Sequence, residues 1–239
     1  MAFVARDVVD RARRIILDET SVRWPLPELL LWLNDGRREI ALHKPSATSA
    51  SVVLPLDEGT LQRIPPEYQA IMRIVRNITS AADVEPRVAG RAVRIVPRDQ
   101  LDALNPNWHD AAAVPFAAAA RHYVYDEANP REFYVYPGND GTGRVEAILS
   151  EIPVDLAVDP SADPEDIAAY DMPIAPVSDV FLSALVDYLL YRAYSKDAQF
   201  AGNAARAGAH YQQFATAVGI KGQAEAATTP NAARSVPSA

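Results

Sequence analysis

The chain contains no cysteine among its 239 residues. That single absence removes disulfides, thiolate nucleophiles and every zinc or iron–sulfur site built on Cys. It fits a protein that folds in a reducing compartment. Long apolar runs are missing as well, and no stretch reaches the ~18 residues that a membrane-spanning helix needs. The opening residues, MAFVARDVVDRARR, lack the basic start and apolar centre of a secretory signal, so none is expected. Positive charge is short too: 23 Lys and Arg stand against 31 Asp and Glu, for a net charge of −8 and a pI near 5.0. Tight wrapping of nucleic acid needs a Lys/Arg footprint, which this balance argues against.

What is present is an ordinary globular composition, 49% hydrophobic and 23% charged. A chain of this length buries a core without covalent help. Its charge is unevenly spread. Residues 61–100 carry seven Arg against four acids, whereas residues 126–171 carry two Arg against twelve acids. One part of the surface is therefore expected to be strongly acidic.

Apolar periodicity places a first helix over residues 3–18, through Val4, Val8, Ala12, Ile15 and Ile16. Arg6, Arg11, Arg13 and Arg14 lie mostly off that stripe and read as a solvated face. A second helix starts at Trp24-Pro25-Leu26-Pro27, since proline is tolerated in a first turn where its missing N–H would be unpaired. Leu26, Leu29, Leu30, Leu33 and Ile40 form its stripe. Asn34-Asp35-Gly36 reads as a turn in isolation, but the stripe resumes in phase beyond it, so the helix is continued. Gly36 is then expected to mark the close approach of another backbone. His43-Lys44-Pro45 ends the helix.

The middle of the chain is β-rich. Strands are expected at residues 51–56, 61–64, 72–78 and 92–96, a helical turn at 98–104 and a long irregular loop at 105–120. Aromatic and β-branched runs at 122–125 and 133–136, followed by 144–152, predict a three-stranded meander with turns at 126–130 and 138–143. Residues 153–176 are an acidic, proline-studded connector. A third helix starts near Ser178, a good N-cap residue. It carries Phe181, Leu182, Leu185, Val186, Leu189 and Leu190 and reads as the most buried helix. Ser195-Lys196-Asp197 reads as a turn, and a fourth helix runs from Ala198 to Val218, closing on Gly219. Residues 221–239 have almost no apolar bulk and read as a flexible tail.

The search for chemistry finds no catalytic, cofactor-binding or metal-binding set. Gly138-Asn-Asp-Gly-Thr-Gly143 has the glycine spacing of a phosphate loop, but Arg144 and Val145 stand where Lys and Ser or Thr are needed. It reads as a hairpin turn. Asp159, Asp163 and Glu165 form a weak likeness of a calcium loop, with Pro164 where Gly is required and Tyr170 where Glu is required. It reads as a solvated acidic loop. His43, His109, His122 and His210 are scattered, and each reads as a hydrogen-bonded structural histidine. The positive signal is in the fourth helix. Ala201, Ala205 and Ala209, with Ala204 and Gly208, repeat at four-residue spacing. Small side chains let helices approach closely, either within one subunit or between neighbours.

Three segments carry a family resemblance. RWPLPELLLWLNDGRREIALHKPSA (residues 23–47) resembles the second helix of bacteriophage head-to-tail adaptor proteins. RHYVYDEANPREFYVYP (121–137) is similar to their aromatic hairpin, and residues 185–214 to their C-terminal helical pair. The nearest class is the tail tubular protein A-like connector. The resemblance implies a structural, non-enzymatic protein of the virion neck, assembled in the bacterial host cytoplasm. It implies a ring, usually of twelve copies, between the portal protein and the tail nozzle or tail tube. DNA would pass through its lumen without specific binding, and no cofactor or membrane would be involved. Part of the acidic 126–171 region is then expected to face that lumen, where it would repel the duplex over ~8–10 Å.

The expected fold is α+β. The N- and C-terminal helix pairs, residues 1–48 and 177–219, form an antiparallel helical bundle. Residues 49–176 form a β-rich insertion with the acidic connector, and residues 220–239 a flexible tail. Competing readings are a tail-completion or tube-terminating protein, a motif-free hydrolase, and a DNA-binding packaging factor, the last disfavoured by the acidic pI.

Overall fold

The structure is a computed structural model that describes residues 3–80 and 84–219. The expectation of a flexible tail falls outside the described residues. Two compact units are present, one built from residues 3–48 and 152–219 and the other from Ser49–Glu151.

The first unit holds four helices, α1 (Ala5–Ile15), α2 (Leu26–His43), α4 (Leu182–Lys196) and α5 (Asn203–Val218). α3 (Arg98–Leu104) lies in the second unit. The expected antiparallel bundle of terminal helix pairs is not what forms. Among the described residues the fold is mixed α/β, with five α-helices and two four-stranded sheets, strands dominating the middle. Nor are the helices of the first unit arranged as two pairs, because α1, α2 and α5 each pack on α4. The cause lies in α4 itself, which buries Leu182, Ala184, Leu185, Val186, Tyr188, Leu189, Leu190 and Ala193. A helix apolar on so many sides needs cover on more than one face. Part of that cover is not α-helical: Tyr170, Ile174, Val177 and Phe181, from the return segment (residues 152–181), which is helical only in two short 3₁₀ turns, enter the same core.

Two expected helix ends are corrected. α1 stops at Ile15, before Asp18, because the Asp18 carboxylate accepts hydrogen bonds from the N–H groups of Val22, Arg23 and Trp24 at 2.8–3.0 Å. A side chain engaged that way fixes a loop, not a helix. α5 begins at Asn203 and not Ala198, after turns over 197–202.

α2 runs unbroken through Asn34-Asp35-Gly36. Gly36 is indeed a point of close approach, but to a ring and not to a backbone. A Cβ there would lie 2.9 Å from Tyr188 Cδ1 and 3.3 Å from Leu185 Cδ2. On either side of Gly36 in the sequence sits a polar clamp. Asn34 exchanges hydrogen bonds with the backbone of Leu156, its Nδ2 donating and its Oδ1 accepting, both at 2.9 Å. Arg37, only 1% exposed, donates to Asn34 Oδ1 at 3.1 Å, to Val154 O at 2.8 Å, to Ile174 O at 3.2 Å and to Ala175 O. A guanidinium forks by nature, so one side chain holds two separate stretches of the return segment.

The second unit contains β1 (Ser49–Pro55), β2 (Gly59–Arg63), β3 (Tyr68–Ile78), β4 (Ala89–Ala92), β5 (Arg94–Ile95), β6 (His122–Tyr125), β7 (Glu132–Asn139) and β8 (Arg144–Glu151). One sheet has the order β1-β8-β3-β4 and the other β2-β7-β6-β5. Alternate residues of both, including Ile71, Ile74, Val145, Ala147 and Leu149 from the first and Tyr123, Phe133 and Val135 from the second, share one core. The expected meander is corrected here. β6 and β7 pair antiparallel, but β8 joins the other sheet, between β1 and β3. The glycine-spaced turn is thus a crossover between sheets and not a hairpin. Asn139 fixes it: Nδ2 donates to Ala117 O and Ala118 O at 3.1 and 3.0 Å, and Oδ1 accepts from the N–H of Gly141 and Gly143. A Cβ on Gly143 would lie 2.2 Å from Ala118 O, which is why that position is glycine.

The expected strand at 92–96 is split in the same manner. β4 belongs to the first sheet and β5 to the second, with Val93 buried where the chain changes sheets. Asn77 secures that corner, donating to Arg91 O and Ala120 O at 2.7 and 2.8 Å and accepting from Ala120 N–H at 2.8 Å.

Two stability changes follow. Arg37→Met removes the buried fork and leaves the carbonyls of Val154, Ile174 and Ala175 short of a donor; chemical denaturation of the helical unit should show a loss of about 3–5 kcal/mol. Unchanged stability would mean that this clamp is not structural. Gly36→Ala gains ~1 kcal/mol of helix propensity yet presses on the Tyr188 ring, an overpacking cost of about 1–3 kcal/mol, so its net effect should be a lower melting temperature.

Candidate functional site

None of the described residues forms a group of three or more His, Asp or Glu able to hold a metal ion. The residues of the phosphate-loop-like turn serve the crossover described above. The calcium-loop-like segment is a chain of turns: Asp159 accepts from Ser161 N–H and Oγ, Asp163 from Glu165 N–H, and Asp166 from Ala168 N–H. Hydrogen bonds from Ser161 hold the Asp159 carboxyl below its usual range.

The acidic stretch divides between the two units at Ile152. Several of its members are also neutralised. Glu132 pairs with Arg63, Glu146 with Arg76 and Arg87, Asp155 with Arg38, and Asp171 with Arg6. Burial pushes Glu146 upward, but hydrogen bonds from Arg76, Ser51 and Arg87 outweigh it and hold the carboxyl low. The exposed carboxylates of the first unit concentrate in the turn chain, at Asp159, Asp163, Glu165 and Asp166.

The small-residue stripe of α5 faces solvent. Ala204, Ala205, Gly208 and Ala209 are all exposed, as is Ala201 in the turn before the helix, and a Cβ added at Gly208 would meet nothing within 4 Å. The face that packs on α4 is different and larger, with Ala207, Phe214, Ala215 and Val218 buried. Phe214 and Tyr211 meet Tyr188 and Tyr191 there, with ring centroids 5.0 Å apart in each of the Tyr188–Phe214 and Tyr191–Tyr211 pairs. Packing within the subunit therefore rests on aromatics and leaves the alanine face bare.

A groove of about 410 Å³ opens where α1, α4 and α5 meet. Val186 and Leu190 form its buried floor, Ile15 is 51% exposed on it, and Arg11 and Arg14 rim it. The expected solvated face of four arginines is thus subdivided: Arg6 and Arg13 pair with Asp171 and Asp10, whereas Arg11 and Arg14 border apolar surface. Sequence periodicity put Arg11 and Arg14 off the buried stripe but carried no sign that a groove lay beside them.

The second unit has its own cleft, about 460 Å³, lined by Arg63, Ile64 and residues 128–132 at the β6–β7 turn. Close to β7, the loop expected to be merely irregular is a lid. Trp108 is fully buried, and its Nε1 donates to Asp102 at 2.8 Å. Tyr134 and Tyr136, on the face of β7 opposite the shared core, lie edge-on to it.

The four histidines do not converge. His43 lies 3.4 Å from Glu39, and His210 Nδ1 lies 2.9 Å from Asp187. His109 Nδ1 meets Thr60 Oγ1 at 2.8 Å, with its ring stacked on Trp108. His122 departs from expectation: its buried Nδ1 has no hydrogen-bond partner among the described residues, and the ring stacks on Tyr136. Burial first, then Arg91, Arg94 and Arg121, lower its pKa. A lowered histidine pKa means that the unfolded chain binds the proton more readily, so this histidine subtracts stability as pH falls below about 6.5. His122→Phe should keep the stack on Tyr136 and flatten the loss of thermal stability between neutral and mildly acidic pH. An unaltered pH profile would assign that loss to other groups.

A family model described as SU10 adaptor protein matches residues 5–234. No curated protein matches the chain. The match spans nearly the whole chain and includes all three segments that resemble phage adaptors, so the chain belongs to the SU10 adaptor family and is a bacteriophage head-to-tail adaptor.

Proposed function

We propose that copies of this chain form a ring that joins the phage portal to the tail nozzle or tube and lines the DNA exit channel. The observation that carries this reading is the family match, which covers both units. The bare face of α5 supports it, since a helix that leaves alanines and a glycine in solvent offers a backbone-close seat to another helix. The resemblance implies twelve copies. Net charge of −8 suits a conduit that lets DNA slide past, and part of the acidic 126–171 set would line the wall. The role proposed is structural, in the virion neck, with no catalytic step. Among the described residues no helix is long and apolar enough to cross a membrane.

Negative-stain imaging with purified portal tests this directly. Twelve-fold density seated on the portal is expected. A six-fold or three-fold ring on the tail tube would instead make the protein a tail-completion or tube-terminating component. In parallel, Gly208→Leu should leave the isolated chain as stable or up to ~1 kcal/mol more stable, by helix propensity, and yet abolish ring density. If rings still form with that leucine, the α5 face is not part of the contact.

A further inference from the structure

The helical unit carries two uncompensated patches of opposite sign. One is the groove rimmed by Arg11 and Arg14, whose guanidinium groups form no ion pair among the described residues. Arg11 lies 5.5 Å over the Phe3 ring and Arg14 is exposed. Asp187, the carboxylate lining the groove, is hydrogen-bonded to His210, so the groove sets two guanidinium groups against one carboxylate. The other patch is the turn chain with Asp159, Asp163, Glu165 and Asp166, all exposed and none in an ion pair among the described residues. The turn chain is also preformed. Its Asx-type hydrogen bonds fix the backbone, and Tyr170, fully buried, donates from its hydroxyl to Pro164 O at 2.8 Å. Little ordering entropy remains to be lost on docking.

From this charge complementarity we infer that the groove is a copy-to-copy contact, occupied by the 159–166 turn chain of a second copy. The inference rests on the ring reading and specifies its interface. Arg11 and Arg14 meet the carboxylates at the rim, and Ile15, with Val186 and Leu190 below it, receives the apolar part of the turn. A charged rim around an apolar centre is the usual anatomy of a specific contact. Because donor and acceptor patches are different surfaces of one subunit, the contact is head-to-tail and propagates until a ring closes. It is separate from the alanine face of α5, so the two surfaces can be disrupted independently.

The absence of native cysteine makes the contact easy to test. A variant carrying Ile15→Cys and Ser161→Cys, assembled and then treated with oxidant or a short bis-maleimide, should give a ladder of covalent multimers. A mixture of the two single-cysteine variants should stop at dimers. Arg14→Glu should weaken self-association about tenfold, Asp163→Arg likewise, and the two variants mixed should recover it. Rings seen by imaging without any ladder overturn this inference while the ring reading stands. Absence of any assembly, with or without portal, overturns both. If the position-15 thiol is joined instead to the portal or tail polypeptide, the groove belongs to that partner and the inference falls.

Discussion

The fold of the helical unit depends on one buried cation. Arg37 sits on α2 and spends its donors on carbonyls of the returning chain, at Val154, Ile174 and Ala175. Asn34 completes the grip at Leu156. The return segment has little regular structure, so its backbone groups need partners from elsewhere. Apolar contacts from Tyr170, Ile174 and Val177 anchor the segment, but they are non-directional. The fork of Arg37 supplies direction. It sets where the chain lies after leaving the β unit, and so where α4 begins. A buried charge is costly unless hydrogen-bonded, and here the bonds are supplied by the segment that needs positioning.

The β unit solves a related problem with amides. Its chain changes sheets four times, between β1 and β2, between β2 and β3, at Val93 and at the turn after Asn139. A switch removes a stretch of backbone from the ladders, and the last two each have an Asn, Asn77 or Asn139, that both donates and accepts across the gap. Gln62 does the same between β1 and β2, accepting from Asp57 N–H and donating to Asp57 O and Gly59 O. Between these corners the alternating pattern of β7 gives one face to the shared core and the other to Trp108. That is why β7 is aromatic on both faces.

Much of this was legible in the residues. Apolar stripes located α1, α2 and α4, and alternation located β6, β7 and β8, because periodicity reports the face each element buries. Pairing was not legible. Nothing in residues 138–143 distinguishes a hairpin turn from a crossover, since both want glycine and asparagine; only the amide's distant partners at Ala117 and Ala118 decide it. The bundle of helix pairs failed for a similar reason. The pattern of α4 showed that it was buried, not that three helices and an irregular segment would share the task. The alanine repeat of α5 was visible as a motif, but whether it lay inside the subunit depended on the aromatic face opposite, which won the packing against α4. The groove beside Arg11 and Arg14 joins residues from both ends of the chain, a separation that local patterns do not bridge.

The exposed alanines of α5 also bear on timing. A methyl group leaves water with little gain, about 25 cal/mol per Å² of apolar area, so covering such a face yields only a weak bond between any two molecules. In the proposed ring that weakness is useful. Stray pairs fall apart and errors are shed, while a template that presents many seats at once holds the set by effective concentration. A leucine-rich face would have fastened subunits together wherever they met. Alanine postpones commitment until the circle can close.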